Sequence, residues 1–349
     1  MGVVFAFALV IVSVFVVYLG VGLAGLYHLF GVIIPYAAFL IFLIGMVYRV
    51  VEWAKVPVPF RIVTTCGQQK SLPWIKRSRL ESPYNNFEVV LRMFLEVFCF
   101  RTLFRNLKAE IKGRNLIYGS YKWLWLGAIA FHYAFFIILI RHFRFFSYPV
   151  PKIIQTIDAL DSFLHIGLPH LYLTDVIILA GLTFLFLRRL ADARLRYISL
   201  ASDYVPLFLI FGLVISGMLM RYFYRVDVTA VKEFTMGLIH FSPKPPKVHS
   251  IFYVHLFFLS SLMAYFPFSK LVHMLGIFLS PTRNLANNSR AKRHINPWNK
   301  PAQIKSYCEY QETFRDLMIE AGLPIDEDCP QEKERKKAAA TETAGEENK

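Results

Sequence analysis

The chain has 349 residues, 56% of them hydrophobic and only 18% charged, which excludes an ordinary soluble domain. Its apolar residues gather into runs of about 20, enough to cross about 30 Å of hydrocarbon as helices. The formal charge of +15 does not point to nucleic acid, because Lys and Arg cluster in the loops between runs, the pattern that sets topology and attracts anionic headgroups.

Six spans are predicted, and with them an all-α integral membrane bundle, since backbone groups in lipid must bond internally. The first, about 3–25, lacks a basic leader and has a longer apolar core than a signal peptide, so it reads as an uncleaved anchor. The second, about 32–52, carries Pro35 in its first turn, where a missing N–H costs little. A basic segment, 53–122, follows. Within it EVVLRMFLEVFCFRTLFRNL (88–107) is apolar at helical spacing but interrupted by Glu88, Arg92, Glu96, Arg101 and Arg105. That charge predicts a helix on the membrane surface or against a partner protein, not a span.

The third span, about 123–146, contains FHYAFFIILIRHF. A Pro- and His-containing loop leads to the fourth, about 171–190, then the fifth, about 203–224, and the sixth, about 250–273, with VHLFFLSSLMAYFPFSKLVH. The last twenty residues are low-complexity and predicted disordered. This divides the chain into an N-terminal anchor (1–30), a cofactor-binding membrane domain (31–280, with the insert 53–122) and a tail (281–349). The basic segments 53–122, 188–203 and 280–310 fall on one side, predicted to be the cytoplasm, which also receives both termini.

The four cysteines, at 66, 99, 308 and 329, form no CxxC or CxxCH. No local signature of an iron–sulfur cluster, zinc ribbon or covalent haem is present, and the expectation is unpaired, reduced thiols.

Ten histidines divide into two groups. His28, His165, His170, His240, His249 and His294 lie in loops or the tail and read as solvated or interfacial. His132 and His142, ten residues apart, and His255 and His273, eighteen apart, sit in or at the mouths of two spans. Ionisable groups there are costly and tend to be functional and paired. Two histidines on each of two helices suit two bis-imidazole haems, built for electron transfer. Antiparallel spans match His142 with His255 toward the exterior and His132 with His273 toward the cytoplasm. The spacings are unequal: ten residues rise about 15 Å along a helix and eighteen about 27 Å. Pro267 is the expected bend. Arg141, Arg144, Arg221 and Lys270 are candidates to offset haem propionates, with snorkelling as their ordinary role.

FHYAFFIILIRHF and YFPFSKLVHML resemble the two ligand-bearing helices of the respiratory nitrate reductase gamma subunit, with the same spacings. The resemblance implies two haem b groups, His142 and His255 holding the outer and His132 and His273 the inner, with quinol oxidised near the outer one. The extra first span, the insert RIVTTCGQQKSLPWIKRSRLESPYNNFEVVLR and the longer tail resemble more closely the cytochrome b subunit of the membrane complex linked to dissimilatory sulfite reduction. That family implies menaquinol as electron source and a cytoplasmic iron–sulfur partner related to heterodisulfide reductase, with TTCGQQKSLPW as a docking segment. The lysine that nitrate reductase relatives carry after an LP pair is missing from LPHLYLTDV. His170, Thr174 and Asp175 are the quinol-site candidates there, with helix capping as the ordinary alternative for the last two. A gamma subunit serving another quinol oxidoreductase, and a proton-coupled transporter, are the competing expectations.

Overall fold

The computed structural model describes residues 2–56, 67–162, 169–289, 291–292 and 304–335. Part of TTCGQQKSLPW, His165, His294 and the end of the tail lie outside them. The chain divides into two units, Met1–Asn296 and Pro297–Lys349.

The first unit begins with α1 (Gly2–Gly22). A π-helical turn, Leu29–Ile33, runs into α2 (Ile34–Lys55). Pro35 has no N–H for the preceding turn and its ring crowds the carbonyl four residues back, which the wider π turn accommodates. Next come α3 (Asn86–Cys99), α4 (Arg101–Arg105), and a hairpin of β1 (Leu107–Lys112) and β2 (Asn115–Ser120). α5 (Lys122–His142) continues as a 3-10 turn to Phe145. α6 (Lys152–Asp161), α7 (Leu173–Ala191) and α8 (Ala193–Ile198) follow. α9 (Ala201–Met218) extends through a π turn to Phe223. α10 (Val228–Ile239), α11 (Ile251–Tyr265), α12 (His273–Leu279) and α13 (Pro281–Asn284) complete the unit.

Among the described residues, five helices are long and apolar enough to cross a membrane: Gly2–Gly22, Leu29–Lys55, Lys122–Phe145, Ala201–Phe223 and Ile251–Phe268. The predicted fourth span forms as α7, but Asp175, Arg188 and Arg189 load it with too much charge to stand among the five.

Contacts between helices give their directions. Gly2 meets the Ala201 backbone and Phe7 packs on Phe208, so α1 and α9 run parallel. Gly31 meets Tyr253 and Gly45 meets Pro267, so α2 and α11 run parallel. Gly127 lies against Phe184 and Gly181 against Phe131, so α5 and α7 are antiparallel, their small residues letting the backbones approach. α9 is antiparallel to α11, through Gly212 on Phe258. Tyr265 donates its hydroxyl to the Ser202 carbonyl at 3.3 Å, the acceptor that Pro206 leaves without a helical partner. The core at this junction includes Val17, Val21, Phe234, Tyr253 and Phe258, all buried, so α1 packs into the bundle.

Two expectations need correction. The 88–107 helix stops at Cys99, where Phe100 turns left-handed (φ 49°), and after α4 the chain forms, as a small addition to an all-α membrane protein, the antiparallel hairpin. Its two-residue loop places Gly113 at φ 63°, the geometry a hairpin turn with Gly first requires. In the second unit, Cys308 and Cys329 form a disulfide with Cα atoms 5.3 Å apart, tying α14 (Tyr307–Glu320) to the segment after it. These thiols are therefore not free; the pairing spans 21 residues and leaves no local motif.

Candidate functional site

α5 carries both His132 and His142, with His255 in the second turn of α11 and His273 opening α12. The last two do not share a straight helix. α11 ends at Tyr265, a 3-10 turn spans Phe266–Phe268 around Pro267, and Ser269 is extended (φ −113°, ψ 174°) before the chain coils again. The straight-helix comparison of spacings therefore does not apply, and the break at Pro267 lets His273 face α5.

The rings of His142 and His255 have centroids 6.3 Å apart and planes 12° apart. Those of His132 and His273 are 6.1 Å apart with planes at 80°. All four Nδ1 atoms are engaged. His132 donates to Ala128 O (2.7 Å), His142 to Ile138 O (2.7 Å) and His273 to Lys270 O (2.8 Å), carbonyls being able only to accept. His255 is the exception: its Nδ1 meets Ser216 Oγ on α9 at 3.0 Å, and that hydroxyl donates onward to Leu213 O at 3.1 Å. Gly217 leaves room for the ring, since a Cβ there would approach His255 Cε1 to 3.2 Å.

A proton on Nδ1 leaves the Nε2 lone pair for a metal. Imidazole–metal bonds of about 2.0–2.1 Å, with ring centres ~1.1 Å behind each nitrogen, put two opposed rings about 6 Å apart across one ion. Both pairs fit that separation. A pair of imidazoles would hold a group that brings the rest of its own metal ligands, as haem does. Phe100 and Phe131 each pack edge-on against His132, 5.1 Å between centroids, which holds that ring from two sides.

Beside His142 lies a buried ionic network absent from the sequence reading. Arg141 is 6% exposed and pairs with Asp161 of α6 and with Asp175 of α7, the latter at 3.4 Å. Thr174 donates its hydroxyl to Asp161 at 2.6 Å, and Tyr222 donates to Asp175 at 2.8 Å. The guanidinium groups of Arg141 and Arg221 lie on the Tyr172 ring at 3.5 and 3.9 Å. Arg144 pairs with Asp158 at 3.1 Å, and Lys270 with Asp203 at 2.5 Å. Arg141 therefore does not snorkel. Thr174 and Asp175 do not cap α7 either: its cap residue is Tyr172, and the Asp161 carboxylate accepts from the Thr174 N–H at 2.9 Å. Of the three quinol candidates, Thr174 and Asp175 join one network; His170 joins its edge through its carbonyl, which accepts from Arg221 at 3.1 Å. Asp158 and Asp161, three apart and so on one helix face, were the available signal. Ser216, a lone hydroxyl in an apolar run, was another.

Comparison with known proteins agrees with this architecture. Residues 87–289 match the family described as nitrate reductase gamma subunit. An "Hdr-like menaquinol oxidoreductase cytochrome b-like subunit" of Archaeoglobus fulgidus is 45% identical over 284 residues, covering 79% of this chain and 85% of the relative. Its counterpart in Archaeoglobus profundus is 43% identical over 281 residues, covering 78% and 83%. The chain belongs to the family of these cytochrome b-like subunits, related to the nitrate reductase gamma subunit.

Proposed function

We propose that the chain is a dihaem cytochrome b, the electron-transfer subunit of a quinol oxidoreductase complex. It carries electrons between menaquinol on the outer side of the cytoplasmic membrane and a cytoplasmic iron–sulfur partner related to heterodisulfide reductase, in sulfur or sulfite respiration. The observation that carries the reading is two imidazole pairs with ring centroids 6.3 and 6.1 Å apart, one toward each end of α5, with every Nδ1 engaged. Two haem b groups, one on His142 and His255 and one on His132 and His273, would supply one-electron carriers near the two faces.

The protein's part is orientation and charge. Nδ1 hydrogen bonds hold each ring in one tautomer and one direction. Asp175, with Thr174 and His170 nearby, is the proposed quinol-site group. Its Oδ2 accepts a hydrogen bond from the Tyr222 hydroxyl, and a carboxylate so placed can take a proton from a bound hydroxyl. The relatives' name, menaquinol oxidoreductase, supports the substrate class. The antiparallel packing of α7 on α5 supports α7 as a sixth span. With six, both termini share the side bearing the basic segments, the cytoplasm by the charge rule.

The test is a reduced-minus-oxidised spectrum of the purified complex with haem counted per chain. Two b-type haems are expected; none, or one, would refute the reading.

A further inference from the structure

α3 is folded with its charges inside and its aromatic residues outside. Phe87, Val90, Leu91, Phe94 and Phe98 fall at helical spacing on one face, and all are exposed, Phe87 at 76% and Phe94 at 53%. The opposite face, Glu88, Arg92 and Glu96, is buried at 8%, 4% and 4%. Each buried charge is matched: Arg77 grips both Glu88 oxygens (2.6 and 3.1 Å), Arg283 meets Glu96 at 3.1 Å, and Arg92 donates to the Glu81 carbonyl at 3.2 Å. Buried charges require such partners. A helix in water presents the reverse arrangement.

Two observations identify what covers the apolar face. Its C-terminal end is pinned to a candidate span: Trp125 of α5 donates to the Cys99 carbonyl and Tyr133 to the Phe98 carbonyl, each at 2.8 Å. Tyr133 and Phe136 of α5 are themselves exposed, so the α3 stripe continues a surface that lies against lipid when α5 crosses the bilayer. At the other end of α3 is a groove of about 550 Å³ lined by Arg77, Arg79 and Arg101 with Leu80, Phe87 and Leu91. Arg77 is paired there with Glu88 and Arg101 with Glu81, and exposed Arg79 is positioned for an anion.

We propose that α3 is an in-plane membrane helix, its aromatic face among the acyl chains and the arginine groove at its start holding an anionic lipid headgroup. Such a helix anchors by apolar area on one face and by attraction to anionic lipid. The proposal does not depend on the histidine pairs.

The test places a spin label at Val90→Cys and, separately, at Phe94→Cys, with Cys66 and Cys99 replaced by Ser, in the full complex in bilayers. Collision with oxygen several-fold above collision with a water-soluble nickel chelate is expected at both positions. Ready collision with the chelate would mean a water-facing surface, and shielding from both reagents would mean a protein partner; either overturns the proposal. In vesicles containing phosphatidylglycerol the label should sit deeper than in phosphatidylcholine alone, and Arg79→Gln should remove the difference. Equal depth in the two lipids with native Arg79 would overturn the headgroup site.

Discussion

Ser216→Ala is the sharpest test of how the protein tunes its imidazoles. Three of the four histidines donate Nδ1–H to main-chain carbonyls, which no side-chain substitution removes. His255 is the one of the four whose ring nitrogen also meets a side-chain hydroxyl, 3.0 Å away on a different helix. Removing it forfeits a net hydrogen bond of about 0.5–1.5 kcal/mol. Loss of such a supporting bond weakens metal affinity by about 10–100-fold. It also makes His255 a poorer electron donor, which disfavours the ferric state and raises the midpoint potential. If the hydrogen-bond energy falls wholly on the oxidised form, the rise is roughly 20–60 mV for a one-electron couple. Potentiometric titration of the b-haem bands, with haem counted per chain, reads both effects. One potential should rise while the other holds, and Ser216→Thr should restore the original value. An unshifted pair of potentials with full haem content, or a shift in the haem that His132 loss removes, would refute the assignment.

Replacing His142 or His255 should remove one haem and quinol oxidation while the second haem assembles, and replacing His132 or His273 should leave the outer haem reducible but cut transfer to the partner; loss of both haems from every single change would break the pairing. Asp175→Asn should lower quinol turnover with both haem spectra retained, and unchanged turnover would reject its proposed role. Asp161→Ala, by contrast, leaves buried Arg141 with Asp175 alone and takes the acceptor from Thr174, and should destabilise the protein by about 1–3 kcal/mol, read as a lower Tm. Burial pushes the Glu88 carboxyl up, but the Tyr84 N–H and the Arg77 guanidinium outweigh it and hold the group below the usual carboxylate range. Its stabilisation is therefore complete above about pH 4.3, the ordinary glutamate value, and is lost as pH falls through the lowered folded value. Proteolysis near α3 should rise in that acid window, and Glu88→Gln should flatten the rise. Cys308→Ser opens a loop of about 20 residues and should cost the second unit about 3 kcal/mol, measured as faster proteolysis, with reductant producing the same effect on the unsubstituted chain.

Five of the six predicted spans were legible because a helix in lipid satisfies its own backbone, so length and hydropathy within one segment settle it. The predicted 123–146 and 203–224 correspond to Lys122–Phe145 and Ala201–Phe223. The proximity of the histidines was legible for a related reason: two histidines on each of two apolar segments and alternating direction leave one antiparallel match, and the ring centroids lie 6.1 and 6.3 Å apart. The insert was half legible. Its charges argued against a span, but the same charges turned inward once Arg77, Arg283 and Glu81 came within reach.

By itself, then, the sequence determined where most of the apolar helices run, because length and hydropathy within one segment settle it, and which histidines lie at matching ends of antiparallel segments. Tertiary structure alone decided that His255 leans on Ser216, that Arg141 is buried between Asp161 and Asp175, that Cys308 joins Cys329, and that α3 wears its aromatic side outward. Each of these is a contact between residues far apart in the chain, where energy follows distance through space and no local periodicity records it.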